Sequence, residues 1–160
     1  MGTVPVPYTQ ASGAVVPTVG GLHTYRDTLN FLLNPPQCQA YFTGTTVLNL
    51  ANATYTAVPL DAGVVDVVQS GDSPMHDNTT NSSRIVARTA GKYELSAQGL
   101  FAVNTTGSRF IMVRLNAAGD PASGTQVAVS NAGSIATYPT AASIAASTVS
   151  LAAGDYLELF

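Results

Sequence analysis

Apolar and polar residues alternate most clearly between positions 92 and 103 of the chain. One face of an extended strand there would carry Tyr93, Leu95, Ala97, Phe101 and Val103, and the other would carry Lys92, Glu94, Ser96 and Gln98. This period of two predicts a half-buried β-strand. Gly99 interrupts the buried face, which predicts a β-bulge or a close approach by another backbone.

A shorter strand is predicted just before it, over residues 84–88, where β-branched residues lie between Arg84 and Arg88. Thr89-Ala90-Gly91 separates the two strands, and Gly91 can adopt a positive φ at no steric cost. The stretch therefore predicts a strand, a tight turn and a second strand. The polar residues 72–83 show no apolar period and are predicted to form a loop.

Short strands separated by turn-forming residues are predicted along most of the remaining chain. The predicted strands are 37–43, 46–50, 54–60, 63–69, 84–88, 92–103, 109–116, 125–130, 134–138, 146–151 and 155–160. Residues 132–153 consist mainly of Ala, Ser and Thr with Pro139 among them, and are interpreted as thin strands and loop. Many short strands at this spacing indicate an all-β, antiparallel sandwich or jelly roll.

One short helix is predicted ahead of the strands, over about residues 24–33. Thr24 is a candidate N-cap and Asp27 places an acid in the first turn, while Pro35-Pro36 forbid continuation. Its apolar stripe consists of Tyr25, Leu29, Leu32 and Leu33. A helix this short needs a docking surface. We therefore divide the chain into an arm with an attachment helix, 1–36, and a jelly-roll domain, 37–160.

Proline, glycine and valine dominate the predicted arm, residues 1–21. Its prolines and glycines predict an extended segment without a regular element. Its valines make it too apolar for a plain flexible linker. Two arrangements stay open: the arm packs on its own domain, or it lies on a neighbouring subunit.

Aromatic residues on several predicted strands are candidates for one stacked layer, either in the core or at a subunit interface. The aromatic candidates are Tyr93, Phe101, Phe110, Tyr156 and Phe160, and Met112 completes the set. The predicted strand 109–116 is apolar on both faces. One face can fill the core of a sandwich, and a neighbouring subunit would cover the other.

The charge of the chain makes nucleic acid an unexpected partner. Only 9% of residues are charged and the net charge is −3, with six scattered Lys and Arg residues and no basic patch. Cys38 is the only cysteine, so neither an intrachain disulfide nor a cysteine metal knuckle is expected. The sequence shows no signal peptide and no run that spans a bilayer. We expect a protein made in a cytoplasm, and a surface this poor in charge suggests buried subunit contacts.

Candidate chemistry is sparse. His76-Asp77, with Asp72 nearby, could begin a metal site, but two or three ligands on a loop are weak support, and we interpret them as a solvated polar loop. A nucleophile elbow and a phosphate-binding glycine loop are absent from the sequence. The acidic residues lie mostly at predicted turns or on strand faces. We therefore expect no catalysis, no metal and no cofactor.

Several short motifs, taken in order, resemble a known family. They are Met75-His76-Asp77, Asn81-Ser82-Ser83-Arg84-Ile85, Thr89-Ala90-Gly91-Lys92-Tyr93, Ile111-Met112-Val113-Arg114-Leu115-Asn116 and Ala153-Gly154-Asp155-Tyr156-Leu157-Glu158-Leu159. This succession resembles the jelly-roll modules of the complement globular head and tumour-necrosis-factor type, in the versions found in virion proteins of tailed bacteriophages. The segment from Thr24-Tyr25-Arg26-Asp27 to Pro35-Pro36 is similar to the N-terminal attachment segment of such proteins.

The resemblance implies a compact homotrimer with a sheet face at the threefold axis, and a non-catalytic role in decoration or recognition. The expected partners are further copies of the chain, other virion proteins and a host surface receptor, and the expected location is the virion, assembled in the host cytoplasm. A minor tail or fibre protein is slightly favoured over a capsid decoration protein. A receptor- or carbohydrate-binding module is the other alternative.

The chain departs from that family at its end. A jelly roll of this kind has a further strand after Tyr156–Phe160, whereas this sequence stops at Phe160. The expectation is that the sequence is cut there or that the last strand comes from elsewhere.

Overall fold

The computed structural model describes residues 19–44, 48–69 and 71–160. One helix is followed by eight strands in this part of the chain. Their bounds are α1 Val19–Leu33, β1 Gln37–Tyr41, β2 Ala62–Val67, β3 Arg84–Val86, β4 Gly91–Phe101, β5 Ser108–Leu115, β6 Thr125–Gly133, β7 Thr140–Leu151 and β8 Tyr156–Leu159. The predicted all-β antiparallel architecture behind a short helix is confirmed.

The chain from β3 to β8 is a long antiparallel ribbon folded back on itself at the loop 116–124. Its strand pairs are nested: β5 pairs with β6, β4 with β7 and β3 with β8. Rolling this ribbon brings β8 against β5 as well. The result is a four-stranded sheet in the order β3-β8-β5-β6 and a two-stranded sheet of β4 and β7, which is a jelly-roll winding. β1 and β2 form a separate antiparallel pair.

The main core lies between the two sheets of the ribbon. Ile111 and Val113 of β5 pack against Ala142 and Ile144 of β7, and all four are buried. The half-buried side chains around them include Leu95, Ala97, Phe101, Val127, Leu157 and Leu159. Alternation along each strand supplies these inward positions, as expected for a sandwich.

Gly99 of β4 faces Ile111 of β5, which belongs to the other sheet. A Cβ built on Gly99 would lie 2.9 Å from the Cγ2 atom of Ile111. The prediction of a close approach by another backbone is therefore wrong, because the nearest atoms belong to the side chains of Ile111 and Phe101. The register shift in β4 falls earlier, between Leu95 and Ala97.

A second, smaller apolar cluster lies on the outer face of β5. Met112, Ala117 and Phe160 are buried together, with Ala57 packed against them. The main chain of residue 160 continues the pairing, since Met112 and Phe160 exchange amide-to-carbonyl hydrogen bonds of 2.9 and 2.8 Å. The chain itself thus covers the part of this face for which the sequence predicted a neighbouring subunit.

The loop 116–124 has a tightly specified backbone. Asn116 and Ala118 adopt φ values of 55°, and Gly124 adopts 66°. A Cβ on Gly124 would lie 2.1 Å from the carbonyl oxygen of Leu115, so only glycine fits there. The Arg114 guanidinium donates hydrogen bonds to the carbonyl oxygens of Ser123 and Gly124, which fastens the loop to β5.

The helix begins five residues earlier than predicted. α1 includes Gly20 and Gly21, and Thr24 is an interior residue whose hydroxyl donates to the carbonyl of Gly20 at 3.1 Å. The prediction that Thr24 caps the helix is therefore wrong. Glycine weakens a helix by about 1 kcal/mol and does not forbid it. The remainder of the predicted arm, residues 1–18, lies outside the described residues.

Several predicted strand boundaries and pairings are also corrected. Residues 54–60 and 134–138 are not strands, and neither is the described part of 46–50. β7 begins at Thr140, within a stretch interpreted partly as loop. β3 and β4 do not form a hairpin, because the chain crosses between the sheets at residues 87–90, and Gly91 is already the first residue of β4.

Candidate functional site

The predicted attachment stripe lies on the surface of α1. Tyr25, Leu29, Leu32 and Leu33 are 44%, 55%, 69% and 75% exposed, and Leu22 extends the stripe by one turn at 54%. The two apolar clusters of the described residues contain no helix residue. Leu22 was missed because the helix was predicted to start two residues after it.

The six candidate core or interface residues occupy different places. Phe101 packs on the main core, and Met112 and Phe160 belong to the outer cluster. Tyr93 is half-buried, and its hydroxyl donates to the carbonyl of Thr89 at 2.6 Å. A single stacked aromatic layer, as the sequence suggested, is not formed by these contacts.

The other two residues of that set have different surroundings again. Phe110 is 44% exposed on the outer face of β5, near Val129 of β6, which is 50% exposed. Tyr156 lies beneath the guanidinium of Arg84, 4.4 Å from ring centroid to Cζ. Its hydroxyl accepts a hydrogen bond from the Ala118 amide at 3.0 Å.

Glu158 is the centre of a buried polar network that the sequence did not reveal. Its side chain has no exposed surface, and one carboxylate oxygen accepts from Arg84 Nε at 3.2 Å and from Ser83 Oγ at 2.9 Å. The other oxygen accepts from the Gly119 amide at 2.9 Å. The network ties β3, β8 and the loop 116–124 together. Its sequence signal was the alternation Tyr156, Glu158, Phe160, which places the acid between two aromatics on one strand face.

An open cleft of about 790 Å³ lies between β2 and the loop that precedes β3. Its polar lining includes Asp66, His76, Asp77 and Arg88. The Asp66 carboxylate accepts hydrogen bonds from the amides of Met75 and His76, both at 3.0 Å. Arg88 Nε donates to the Pro74 carbonyl at 2.8 Å. These charged groups hold the loop's own main chain in place.

Asp77 also serves the loop in which it lies. Its Oδ1 accepts from the amides of Thr79 and Thr80 and from the Thr79 hydroxyl. These hydrogen bonds lower the pKa of the Asp77 carboxyl to about 2, with the amides of Thr80 and Thr79 as the largest causes. Such a carboxylate stabilises a turn and is poorly suited to accept a proton near neutral pH.

His76 is not a solvated loop residue, which corrects its interpretation from the sequence. It is 8% exposed, and its ring nitrogens lie against main-chain carbonyl oxygens of Arg84 and Leu60. The loop prediction for 72–83 itself is confirmed, apart from an isolated bridge between His76 and Ile85. Among the described residues, no group of three His, Cys, Asp or Glu side chains is arranged to hold a metal ion.

Cys38 faces Asp66 across the β1–β2 pair. Burial, and secondarily the charge of Asp66, raises the pKa of the Cys38 thiol from 9.0 to about 11. A nucleophilic cysteine needs a lowered pKa, because the thiolate is the reactive form. The environment of Cys38 therefore favours the unreactive thiol.

No family model matches the sequence, and no curated protein matches it either. Within the described residues, no helix is long and apolar enough to cross a membrane.

Proposed function

We propose that the protein is a non-enzymatic structural component of a bacteriophage virion. In this proposal the jelly roll projects from the particle as a homotrimer, and the N-terminal segment attaches it to a tail or capsid. A tail location is slightly favoured. The mechanism is burial of apolar surface between protein subunits, without a chemical step.

The observation that carries the proposal is the exposed leucine stripe on α1. Leu22, Leu29, Leu32 and Leu33 are more than half exposed on a helix that contributes nothing to the described apolar clusters. An exposed apolar stripe of this kind is typical of a surface that another protein covers. The jelly-roll winding and the motif order that resembles phage virion proteins support the same interpretation.

Point variants in α1 test the attachment role. The double variant Leu29→Asp/Leu33→Asp places charges on the stripe and is expected to abolish association with particles, while the far-ultraviolet spectrum and unfolding midpoint stay unchanged. Asn30→Asp, an exposed residue of the same helix, is the matched control and is expected to associate normally. Normal decoration of particles by the double variant would contradict attachment through this stripe, as would decoration by a protein lacking residues 1–36.

The trimer is tested by light scattering with the full chain at micromolar concentration. We expect a mass of three subunits, and Phe110→Glu is expected to weaken the assembly because Phe110 and its diagonal neighbour Val129 are both exposed on the outer sheet face. A stable monomer would count heavily against the proposal. Electron microscopy of virions labelled for this protein then separates a tail location from a capsid decoration protein.

One observation favours the second candidate, a receptor- or carbohydrate-binding module. Tyr138, in the connection between β6 and β7, is 70% exposed, and an exposed aromatic ring is the feature that such a site uses to stack on a sugar. Tyr138→Ala is expected to leave particle assembly intact under both candidates. Loss of adsorption to host cells by Tyr138→Ala virions would support the recognition role. Unchanged adsorption would argue against a recognition site at Tyr138 and would favour a purely structural role.

A further inference from the structure

Two buried oxygen atoms in the described part of the chain have no hydrogen-bond partner on the protein. They are Oδ2 of Asp72, where the loop 72–83 begins, and Oγ1 of Thr89, in the crossover 87–90 between the sheets. Thr89 as a whole is only 2% exposed. Buried polar groups in folded proteins nearly always have a hydrogen bond, because burial without one is costly. The two atoms therefore point to a partner that is not part of the chain.

The two oxygens lie on segments that run antiparallel beside each other. The loop 72–83 is joined to β3 by an antiparallel bridge. Towards the crossover, Arg88 Nε donates a hydrogen bond to the Pro74 carbonyl oxygen at 2.8 Å. Continuing this antiparallel course brings Asp72 close to the level of Thr89.

Tyr93 of β4 links the same two residues independently. Its hydroxyl donates a hydrogen bond to the Thr89 carbonyl oxygen at 2.6 Å. Burial is the largest cause that raises the pKa of the Tyr93 hydroxyl, and the charge of Asp72 adds to it. Electrostatic interaction weakens with distance, so this effect indicates that the Asp72 carboxylate lies near the Tyr93 hydroxyl. We call the place where Asp72, Thr89 and Tyr93 meet the crossover site.

The donors and acceptors of the crossover site select its ligand. A carboxylate oxygen accepts hydrogen bonds, whereas a threonine hydroxyl both donates and accepts. Asp72 Oδ2 and Thr89 Oγ1 complement each other but are not bonded, so they lie too far apart for a direct hydrogen bond. We propose that the crossover site binds one structural water, which fastens the start of the loop 72–83 to the crossover and to β4.

The hydrogen bonds of this water are balanced. It accepts the proton of the Thr89 hydroxyl and donates one proton to Asp72 Oδ2. Its second proton is donated to the Tyr93 hydroxyl oxygen, whose own proton already bonds the Thr89 carbonyl oxygen. A typical buried water makes about three hydrogen bonds, which matches this set.

A divalent metal ion fits the crossover site less well. Calcium and magnesium take six or more oxygen ligands, whereas the crossover site offers one carboxylate and two hydroxyl groups. In residues 19–44, 48–69 and 71–160, no group of three His, Cys, Asp or Glu side chains is arranged to hold a metal ion. The water inference does not depend on the virion proposal.

The sign of the effect of Thr89→Val on stability tests the proposal. Valine is close to threonine in shape but cannot bind water. Loss of the hydrogen bond to water is expected to raise the unfolding constant of the full chain, measured in urea, by about fivefold. A hydroxyl buried without any partner would act in the opposite direction, because valine would remove an unsatisfied polar atom. An unfolding constant that falls or stays unchanged would therefore overturn the proposal.

Thr148→Val is the matched control for this experiment. It makes the same chemical change at an exposed position of β7. The unfolding constant of this variant is expected to stay within about twofold of the wild-type value.

A double-mutant cycle tests whether Asp72 and Thr89 share one ligand. Asp72→Ala alone is also expected to raise the unfolding constant. The double variant Asp72→Ala/Thr89→Val should raise it by less than the product of the two single effects, because either substitution already breaks the bridge. Two effects that simply multiply would overturn the shared water.

A crystal structure of the wild-type protein separates a water from other causes of such coupling. We expect density for a water within about 3.2 Å of both Asp72 Oδ2 and Thr89 Oγ1. A direct hydrogen bond between these two side chains, or no ordered density between them, would overturn the proposal. An anomalous peak there in crystals grown in a rubidium salt would also overturn it, because it would identify a monovalent cation.

Discussion

Two carboxylates fasten loops to strands, and they do so in opposite surroundings. Glu158 is fully buried and binds Arg84, Ser83 and the Gly119 amide. Asp66 is exposed at the wall of the cleft and binds the amides of residues 75 and 76. Asp66 accepts from two main-chain amides of the loop 72–83, and Glu158 accepts from one main-chain amide of the loop 116–124.

We expect the burial of the carboxylate, more than the number of its hydrogen bonds, to set the cost of losing such an anchor. The Asp66 carboxylate itself is open to water, whereas the Glu158 carboxylate has no exposed surface. A buried charge pair that loses one member leaves an uncompensated charge behind. Removal of the exposed Asp66 carboxylate leaves no buried charge behind, only two amides without their acceptor.

The largest effect is expected from Glu158→Ala. It strands the Arg84 guanidinium, whose side chain is 25% exposed, and should lower the free energy of unfolding by about 3–5 kcal/mol. Urea denaturation measures the loss. Glu94→Ala is the matched control, because Glu94 is an exposed glutamate on β4 and should change the stability by less than about 0.5 kcal/mol. Equal losses of unfolding free energy for the two glutamate variants would contradict the expectation that burial sets the cost.

Asp66→Ala should be a smaller perturbation, of about 1–3 kcal/mol, because it leaves two amides of buried residues without their acceptor but leaves no buried charge unpaired. The same denaturation experiment checks it, with the exposed helical Asp27→Ala as a control that should have almost no effect. Hydrogen exchange at the amides of Met75 and His76 should quicken in the Asp66 variant. A loss as large as that of Glu158→Ala would mean that exposure is not the deciding factor.

Acid should weaken the exposed turns gradually. The pKa of Asp77 is lowered to about 2 in the folded protein. The stabilisation from its carboxylate is therefore present above the usual aspartate pKa of about 3.9 and is lost as the pH falls from there towards 2. Asp77→Asn keeps an acceptor oxygen but cannot titrate. We expect its urea midpoint to fall less than that of the wild type between about pH 4 and 2. The urea midpoint of the variant should still fall in part, because the pKa values of three other carboxyls are also lowered, those of Asp61, Asp120 and Asp155.

The smallest effect concerns the thiol beside Asp66. A Cys38 pKa near 11 instead of 9.0 implies roughly a hundredfold less thiolate, so alkylation at about pH 8 should be far slower in the folded than in the unfolded protein. Asp66→Asn should quicken alkylation only modestly, because burial is the larger cause of the raised pKa. Equal rates in folded and unfolded protein would show that the thiol is open to solvent.

Local pattern in the sequence was enough for the fold class and for the long strand β4. The predicted alternation matches the inward and outward faces of β4, but Val103, which was predicted on the buried face, lies beyond the strand and is 47% exposed. The first half of β7 escaped prediction for a physical reason. Its buried Ala142 alternates with exposed Ala141 and Ala145, so the two faces carry the same residue type and hydropathy shows no period.

Features that depend on distant partners could not be predicted from local pattern. β3 pairs with β8, and Arg84 and Glu158 are 74 positions apart. The segment 54–60 has strand-like composition, but its amides bond the loop and strand ends at isolated points, such as Val58 to Leu159 at 2.8 Å. His76 lies in a polar stretch that predicts a solvated loop. Its ring is buried against the carbonyl groups of Arg84 and Leu60, which come together only in the folded chain.

The nested ribbon has a consequence for how the molecule folds. Closing the loop 116–124 brings β5 and β6 together at the lowest entropic cost, since that loop is short. Each later pair, β4 with β7 and then β3 with β8, closes over a span that the previous pair has shortened. Folding is thus expected to proceed like a zipper from the hinge outward, with the Glu158 network as its final step.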